Sequence, residues 1–336
     1  MSSLTELSSP FIEIVLKDLL SFMSSPSHSD VALPVAAMKV MLNVIKRSKA
    51  ITMTGLLQEL ETAKEGMLGL AASKDICGFR SHIPLQSGCE LFMRYVTRSF
   101  YEMSSDFELC IKEVLLRGET FAGMSLTARQ SIAEHGCEFI REGQVILTHG
   151  YSRVVASLLK MAAEKQKKNF SVIVLEGRPE GGGARAAAVY SEANIPVTVV
   201  LDSAMGYAME KADLVIVGAE GVVENGGVVN KIGTYALGIT AKALNTPFYV
   251  AAESYKFARL YPLNQADLPR VETGELRFAD TTLPGKLEEI DVKKDLITVD
   301  NCVIDYTPAN YITLLFTDLG VLTPSAISDE LIRLYA

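Results

Sequence analysis

The chain has 336 residues, 49% of them hydrophobic and 21% charged, with a net charge of −8 at neutral pH. That balance suits one large globular domain or two ordinary ones. It disfavours direct nucleic-acid binding, because no K/R-rich run or basic aromatic patch accompanies the acidic total, and no apolar run approaches the ~18 residues of a membrane span.

The opening MSSLTELSSP has neither the basic start nor the apolar stretch of a secretory signal, so the cytoplasm is the expected compartment. Ser9-Pro10 then reads as an N-cap with proline at the first helical position, followed by FIEIVLKDLLSFM. A second helix is expected over PVAAMKVMLNVIKR. A third carries Leu56, Leu60, Ala63 and Met67 on one stripe. Ser87-Gly-Cys-Glu90 reads as a capping box ahead of LFMRYVTRSFYEM. A long helical stretch continues through DFELCIKEVLLRGETFAGM, and strand-like patterning is absent before about residue 143.

From there strands and helices alternate. QVILT (144–148), SVIVL (171–175), VTVVL (197–201), LVIV (214–217) and PFYVAA (247–252) read as strands, each of the first four followed by a helical run. Alternation of this kind implies parallel βαβ units in a doubly wound sheet, and uniformly apolar strands imply helices on both faces. Residues 264–300 are polar and irregular and read as an excursion or solvated surface. The closing ITLLFTDLGVLTPSAISDELIRLY is apolar enough to dock back on the core. The fold class expected is α/β: a helical domain over 1–125, serving as a regulatory and partner surface, followed by a Rossmann-like parallel-sheet domain over 126–336 that holds a ligand pocket and a dimer surface.

The five cysteines show no CxxC and no regular spacing, and the four histidines are not paired, so structural thiols and no metal site are expected. Ligands of parallel α/β sheets bind beyond the carboxyl ends of the strands. Those ends carry His149, Gly150 and Arg153 after the first strand, Glu176 and Arg178 after the second, and Asp202 after the third. After the fourth come Glu220 and then Asn230-Lys231, and after the fifth comes Glu253. Carboxylates and cations so placed suit a small polar ligand carrying phosphate. Backbone N–H groups at the helix start after Asn230-Lys231 would take the dianion, and Lys231 or Arg153 would add charge. Each residue also has an ordinary reading: surface cations for Arg153 and Lys231, a turn cap for Glu220, a backbone-bonded interior imidazole for His149. Gly226-Gly227 alone asks only for a tight turn. No P-loop and no GxGxxG after a first strand is present, so no nucleotide cofactor is expected.

VGAEGVVENGGVVNKIGTY, PFYVAAESYKFARLYPLNQADLP, ILTHGYSRVV and FTDLGVLTPSAISDELI resemble the alpha-subunit family of eukaryotic translation initiation factor two-B. The likeness runs from LPVAAMKVM to the C-terminus. It implies a homodimer formed through the C-terminal domains. It also implies assembly with beta, delta, gamma and epsilon subunits into a guanine nucleotide exchange complex, gamma and epsilon carrying the exchange. The alpha subunit's implied role is to help sense phosphorylated initiation factor two and to stabilise the assembly. The superfamily also contains aldose–ketose sugar-phosphate isomerases, whose pattern has Cys directly after Thr-His and Asp in Gly-Ala-Asp. Gly150 and Glu220 stand at those two positions here. Loss of one positioned acid/base group costs roughly 10²–10⁴-fold in rate, so a sugar-phosphate-type pocket without catalysis is expected. An active isomerase using His149 and Glu220 is the alternative. Candidate partner contacts are Thr52, Arg80 and the KRSK run with Lys46, Arg47 and Lys49, whose plainer reading is a solvated helix end and loop.

Overall fold

The structure, a computed structural model, describes residues 9–24, 32–71, 82–102, 107–268 and 302–335. The first helix, α1 (Pro10–Ser24), starts as its sequence dictates. The Ser9 carbonyl accepts from Glu13 N at 3.2 Å and its hydroxyl lies 3.5 Å from Ile12 N, while Pro10 lacks an N–H the first turn would leave unpaired anyway. Three further helices follow, α2 (Leu33–Arg47), α3 (Met53–Ala71) and α4 (Ile83–Glu102). The expected stripe on α3, Leu56, Leu60, Ala63 and Met67, is fully buried and packs with Val40 and Met41 of α2 and Phe92 of α4.

The start of α4 differs from the expected capping box. Ser87 and Glu90 lie inside the helix, which begins at Ile83 with Pro84 in its first turn. The Ser87 hydroxyl donates back to the Ile83 carbonyl at 2.9 Å, and Glu90 accepts from the Gln86 amide at 2.9 Å. Gly88 serves packing instead: a Cβ there would stand 2.7 Å from Pro34 Cα, so glycine lets α4 cross α2 at backbone distance.

The next helix, α5 (Phe107–Cys137), runs 31 residues. The division expected at 125/126 falls within it. Its far end reaches the sheet, where His135 Nδ1 lies 2.9 Å from the Thr317 carbonyl oxygen. Cys89, Cys110 and Cys137 are buried; Cys77 lies outside the described residues.

All five expected strands form: β1 (Val145–His149), β2 (Ser171–Leu175), β3 (Val197–Val200), β4 (Leu214–Gly218) and, after two more strands taken up below, β7 (Phe248–Ala251). The helices between them are α6 (Arg153–Lys160), α7 (Gly183–Glu192), α8 (Met205–Met209) and α9 (Thr234–Ala243). The apolar tail docks as expected. It supplies β10 (Leu314–Thr317), β11 (Gly320–Leu322) and α10 (Ile327–Tyr335), with Ile327 and Leu331 buried. The seven-stranded sheet has the order β11-β10-β7-β4-β1-β2-β3, parallel except for β11. The chain moves outward from β1 to β3, then returns to the other side of β1 with β4. That reversal opens a crevice at the carboxyl ends of β1 and β4. One strand departs from expectation: β3 is an edge, and Val199 is 49% exposed where full cover was expected.

A second sheet has no counterpart in the sequence reading. Its order is β8-β5-β6-β9, from β5 (Gly221–Val223), β6 (Val228–Lys231), β8 (Phe257–Ala258) and β9 (Ile304–Thr307). The glycine-rich turn is therefore a hairpin turn between β5 and β6. Gly226 has φ +79, and a Cβ there would stand 2.1 Å from the Pro324 carbonyl oxygen. The glycines serve chain reversal and close packing on the tail. Among the described residues, no helix is long and apolar enough to cross a membrane.

Candidate functional site

A cavity of about 200 Å³ occupies the crevice at the ends of β1 and β4. Its floor comes from the seven-stranded sheet, through His149 to Val154 after β1 and Gly218 to Glu220 after β4. One wall comes from Asn230 and Lys231 on β6. The helical layer roofs it with Phe22, Met23, Leu33, Pro34 and Pro84. The chain folds this way locally because the reversal at β1 leaves both loops uncovered, and the β5–β6 hairpin then turns back across them.

His149 is buried, and neither ring nitrogen has a hydrogen-bond partner among the described residues. Its Nε2 lies 3.7 Å from Asp202 Oδ1. Burial, helped by nearby Lys231, holds the imidazole below its usual value against the opposing pull of Asp202 and Glu180, so it is neutral at pH 7. Arg153 opens α6, whose N-cap Ser152 hydroxyl lies 3.5 Å from Val155 N, and it lines the cavity with Arg185. The Arg185 guanidinium sits 4.3 Å from the Tyr151 ring centroid. Lys231 donates to the Tyr151 carbonyl oxygen at 3.2 Å and pairs with Glu180. Asn230 is buried and donates to the Thr234 hydroxyl at 3.0 Å. Glu220 lines the cavity, and its backbone N–H bonds the Val229 carbonyl at 2.9 Å.

Six of the residues at the expected strand ends thus come together: His149, Arg153, Glu220, Asn230, Lys231 and Glu253. Three do not line the cavity. Glu176 and Arg178 pair with each other at 3.5 Å on the surface. Asp202 accepts from Gly177 N at 2.9 Å and Arg178 N at 2.7 Å, so it pins the loop after β2. Glu176 and Arg178 stand at the base of the loop after β2, whereas Glu180 near its tip reaches Lys231 in the cavity, and Asp202 follows β3, one strand farther from the switch point.

The expected anion cradle is also filled from within. At the start of α9, Gly233 N and Tyr235 N donate to Asp305 Oδ2 at 2.7 and 2.9 Å. A carboxylate of the chain satisfies the helix terminus that was expected to take a phosphate. Burial pushes the Asp305 carboxyl up to about 7, although these two bonds pull it down.

Sequence reasoning missed Glu180, Arg185 and Lys256. Lys256 could have been found three residues after Glu253, since its Nζ lies 2.8 Å from Glu253 Oε2. The Glu253 carboxylate is fully buried, with Arg129 Nε at 3.7 Å and the Tyr255 hydroxyl donating at 2.9 Å. Burial raises its pKa, but Lys256 and these hydrogen bonds outweigh that and leave it below the usual carboxylate range.

Gly150 has φ +58, and a Cβ there would meet nothing nearer than 3.8 Å, Gly177 Cα and Lys231 Cδ. The position has space for a side chain, while its left-handed backbone favours glycine. In the helical layer, Arg47 pairs with Asp18 at 2.6 Å, Thr52 accepts from Gly55 N at 3.2 Å, and Lys46 and Lys49 are exposed. Arg80 lies outside the described residues. Among the described residues no group of three or more His, Cys, Asp or Glu converges as a metal site would need.

Residues 27–324 match the model of the Initiation factor 2 subunit family. The chain belongs to this family. A relative named translation initiation factor eIF2B subunit alpha, from Dictyostelium discoideum, is 43% identical over 310 residues, 92% of this chain and 93% of its own length. A ribose 1,5-bisphosphate isomerase from Methanocaldococcus jannaschii is 33% identical over 213 residues, 63% of this chain and 66% of its own length. The fold matches a Pyrococcus horikoshii translation initiation factor eIF-2B with a TM-score of 0.67 at 24% identity, over 93% of this chain and 98% of that one. The relatives of this chain thus include proteins named as initiation-factor subunits and proteins named as isomerases. The family's model spans the helical layer from α2 onward, both sheets and all of the cavity lining except Phe22 and Met23.

Proposed function

We propose that this chain is the regulatory alpha subunit of an eIF2B-type guanine nucleotide exchange complex and that its cavity binds a phosphorylated sugar without converting it. In this reading the chain pairs with a second copy through its α/β part, joins beta, delta, gamma and epsilon subunits, and helps the cytoplasmic complex sense phosphorylated initiation factor two. Similarity at 43% identity over nearly the full length of the alpha subunit from Dictyostelium discoideum supports the assembly role.

One observation carries the non-catalytic part: Gly150. It stands at the end of β1, beside Lys231, where the sequence pattern of isomerases has a reactive thiol. A glycine can neither give nor take a proton, and that loss costs roughly 10²–10⁴-fold in rate. Glu220 in place of Asp keeps the charge but displaces it by about 1 Å, a shift that can itself cost about 10²-fold. The second reading, an isomerase with relocated groups, draws on the neutral, buried His149 with two open ring nitrogens.

Affinity purification of the tagged chain from its own cells tests the assembly, with recovery of the other four subunits expected and a lone dimer overturning it. Nucleotide release from initiation factor two tests the sensing. Complexes lacking this chain are expected to keep exchange but to lose inhibition by the phosphorylated factor; inhibition that persists in full rules the sensing out. A coupled isomerase assay on ribose 1,5-bisphosphate separates the second reading: turnover at enzymatic rates, abolished by Glu220→Ala, would establish the enzyme.

A further inference from the structure

Two features in or beside the cavity would receive an anion, the start of α9 and Lys231, and each already has a carboxylate of the chain. Asp305 fills the start of α9 from a buried strand, with both of its N–H bonds short and its side chain largely sealed from solvent. It is part of the fold. Glu180 is different. It sits on the glycine-rich loop 176–182 between β2 and α7, and its side chain is 40% exposed while its partner Lys231 is 18% exposed. The loop is anchored at its base, where Asp202 takes Gly177 N and Arg178 N, and Gly183 N bonds the Glu176 carbonyl at 2.8 Å. Its tip carries Glu180 followed by Gly181 at φ +71, a backbone conformation glycine adopts freely. Lys231 keeps a second anchor, the Tyr151 carbonyl oxygen, so its ammonium stays in place if the carboxylate leaves.

We infer that Glu180 is a displaceable internal counter-anion, which holds the Lys231 ammonium until the phosphate monoester of a ligand takes its place. This rests on the sugar-phosphate reading of the cavity and adds how that site is kept shut to weak anions. A partly exposed carboxylate–ammonium pair is weak, so a phosphate dianion with two charges and three acceptor oxygens displaces it. A neutral sugar has nothing to offer Lys231 and leaves the pair intact. Arg153 and Arg185 line the same cavity and meet the remaining phosphate charge.

The test is calorimetric titration of the full chain with ribose 5-phosphate, inorganic phosphate and unphosphorylated ribose. The proteins are wild type, Glu180→Gln, Lys231→Met and the double variant. Removing the competing carboxylate is expected to tighten both phosphate-bearing probes about fivefold and leave ribose unchanged. On the Lys231→Met background, Glu180→Gln is expected to have no effect, because the two residues act as one pair. Unchanged melting temperatures would confirm that the loop variant folds. Wild-type binding that Glu180→Gln leaves within twofold or weakens overturns this inference alone. Tightening that persists in the double variant also overturns it, since Glu180 would then act by general charge and not through Lys231. No phosphate-dependent binding by any of the four proteins overturns the sugar-phosphate reading and this inference with it.

Discussion

The seven-stranded and four-stranded sheets line the same cavity but are held together by different means. The large sheet is built of apolar runs whose side chains bury on both faces except at its edges, β3 and β11. Phe316 on β10, for example, lies with its ring centroid 4.9 Å from Phe139 and 5.1 Å from Tyr249. The small sheet has strands of two to four residues, and polar atoms do much of its fastening: Gln265 donates to the Tyr306 carbonyl and accepts from Tyr306 N, both at 2.7 Å, and Asp305 ties β9 to α9. One sheet is fixed chiefly by volume, and the other adds hydrogen-bond geometry to the packing of its short buried strands. A site made where they meet takes its stable floor from the first and its polar wall from the second.

The contrast predicts unequal responses. Phe316→Ala should remove about 3–5 kcal/mol of stability in denaturant unfolding, because the ring is fully buried and its neighbours cannot close the space. A loss under ~1 kcal/mol would mean the large sheet does not depend on packing. Gly226→Ala, at the turn of the small sheet, should cost about 1–3 kcal/mol from its left-handed backbone and the clash with Pro324. A neutral result would show that the hairpin can slide away from the tail.

The mildest change is Asp305→Asn, read as a pH slope. Asp305 titrates at about 7 in the fold against 3.8 when free. The folded chain therefore holds a proton that the unfolded chain releases, and stability falls as pH rises from about 4 to about 7. His149 works the other way. Its pKa is lowered from 6.5, so the unfolded chain takes up a proton first, and stability is lost as pH falls below that value. Melting temperatures of Asp305→Asn across pH 5 to 8 should lose the fall toward pH 7 and keep the opposite slope of His149 and of His82, whose pKa burial also lowers; an unaltered profile would remove Asp305 as the source.

The same contrast explains what could be read in advance. The stripe of Leu56, Leu60, Ala63 and Met67 and the five apolar strand runs announce themselves by period and length, since burial imposes both. Strands such as Gly221–Val223 and Phe257–Ala258 are too short to show a period. Asp305 meets α9 from 72 residues away in sequence, a separation no local pattern reveals. The site followed suit. Residues at the ends of β1 and β4 were found because the rule for parallel sheets points there. Asp202, Glu176 and Arg178 were grouped with them because nothing local tells which strand ends adjoin, and Glu180 was missed as one more charge in a glycine loop.

The 31-residue helix α5 has a mechanical meaning. At 1.5 Å per residue it extends about 46 Å, from the roof of the cavity's own layer to the edge of the large sheet. The helical part and the α/β part are thus coupled by a rod instead of a tether, and bending between them would mean breaking main-chain bonds along it.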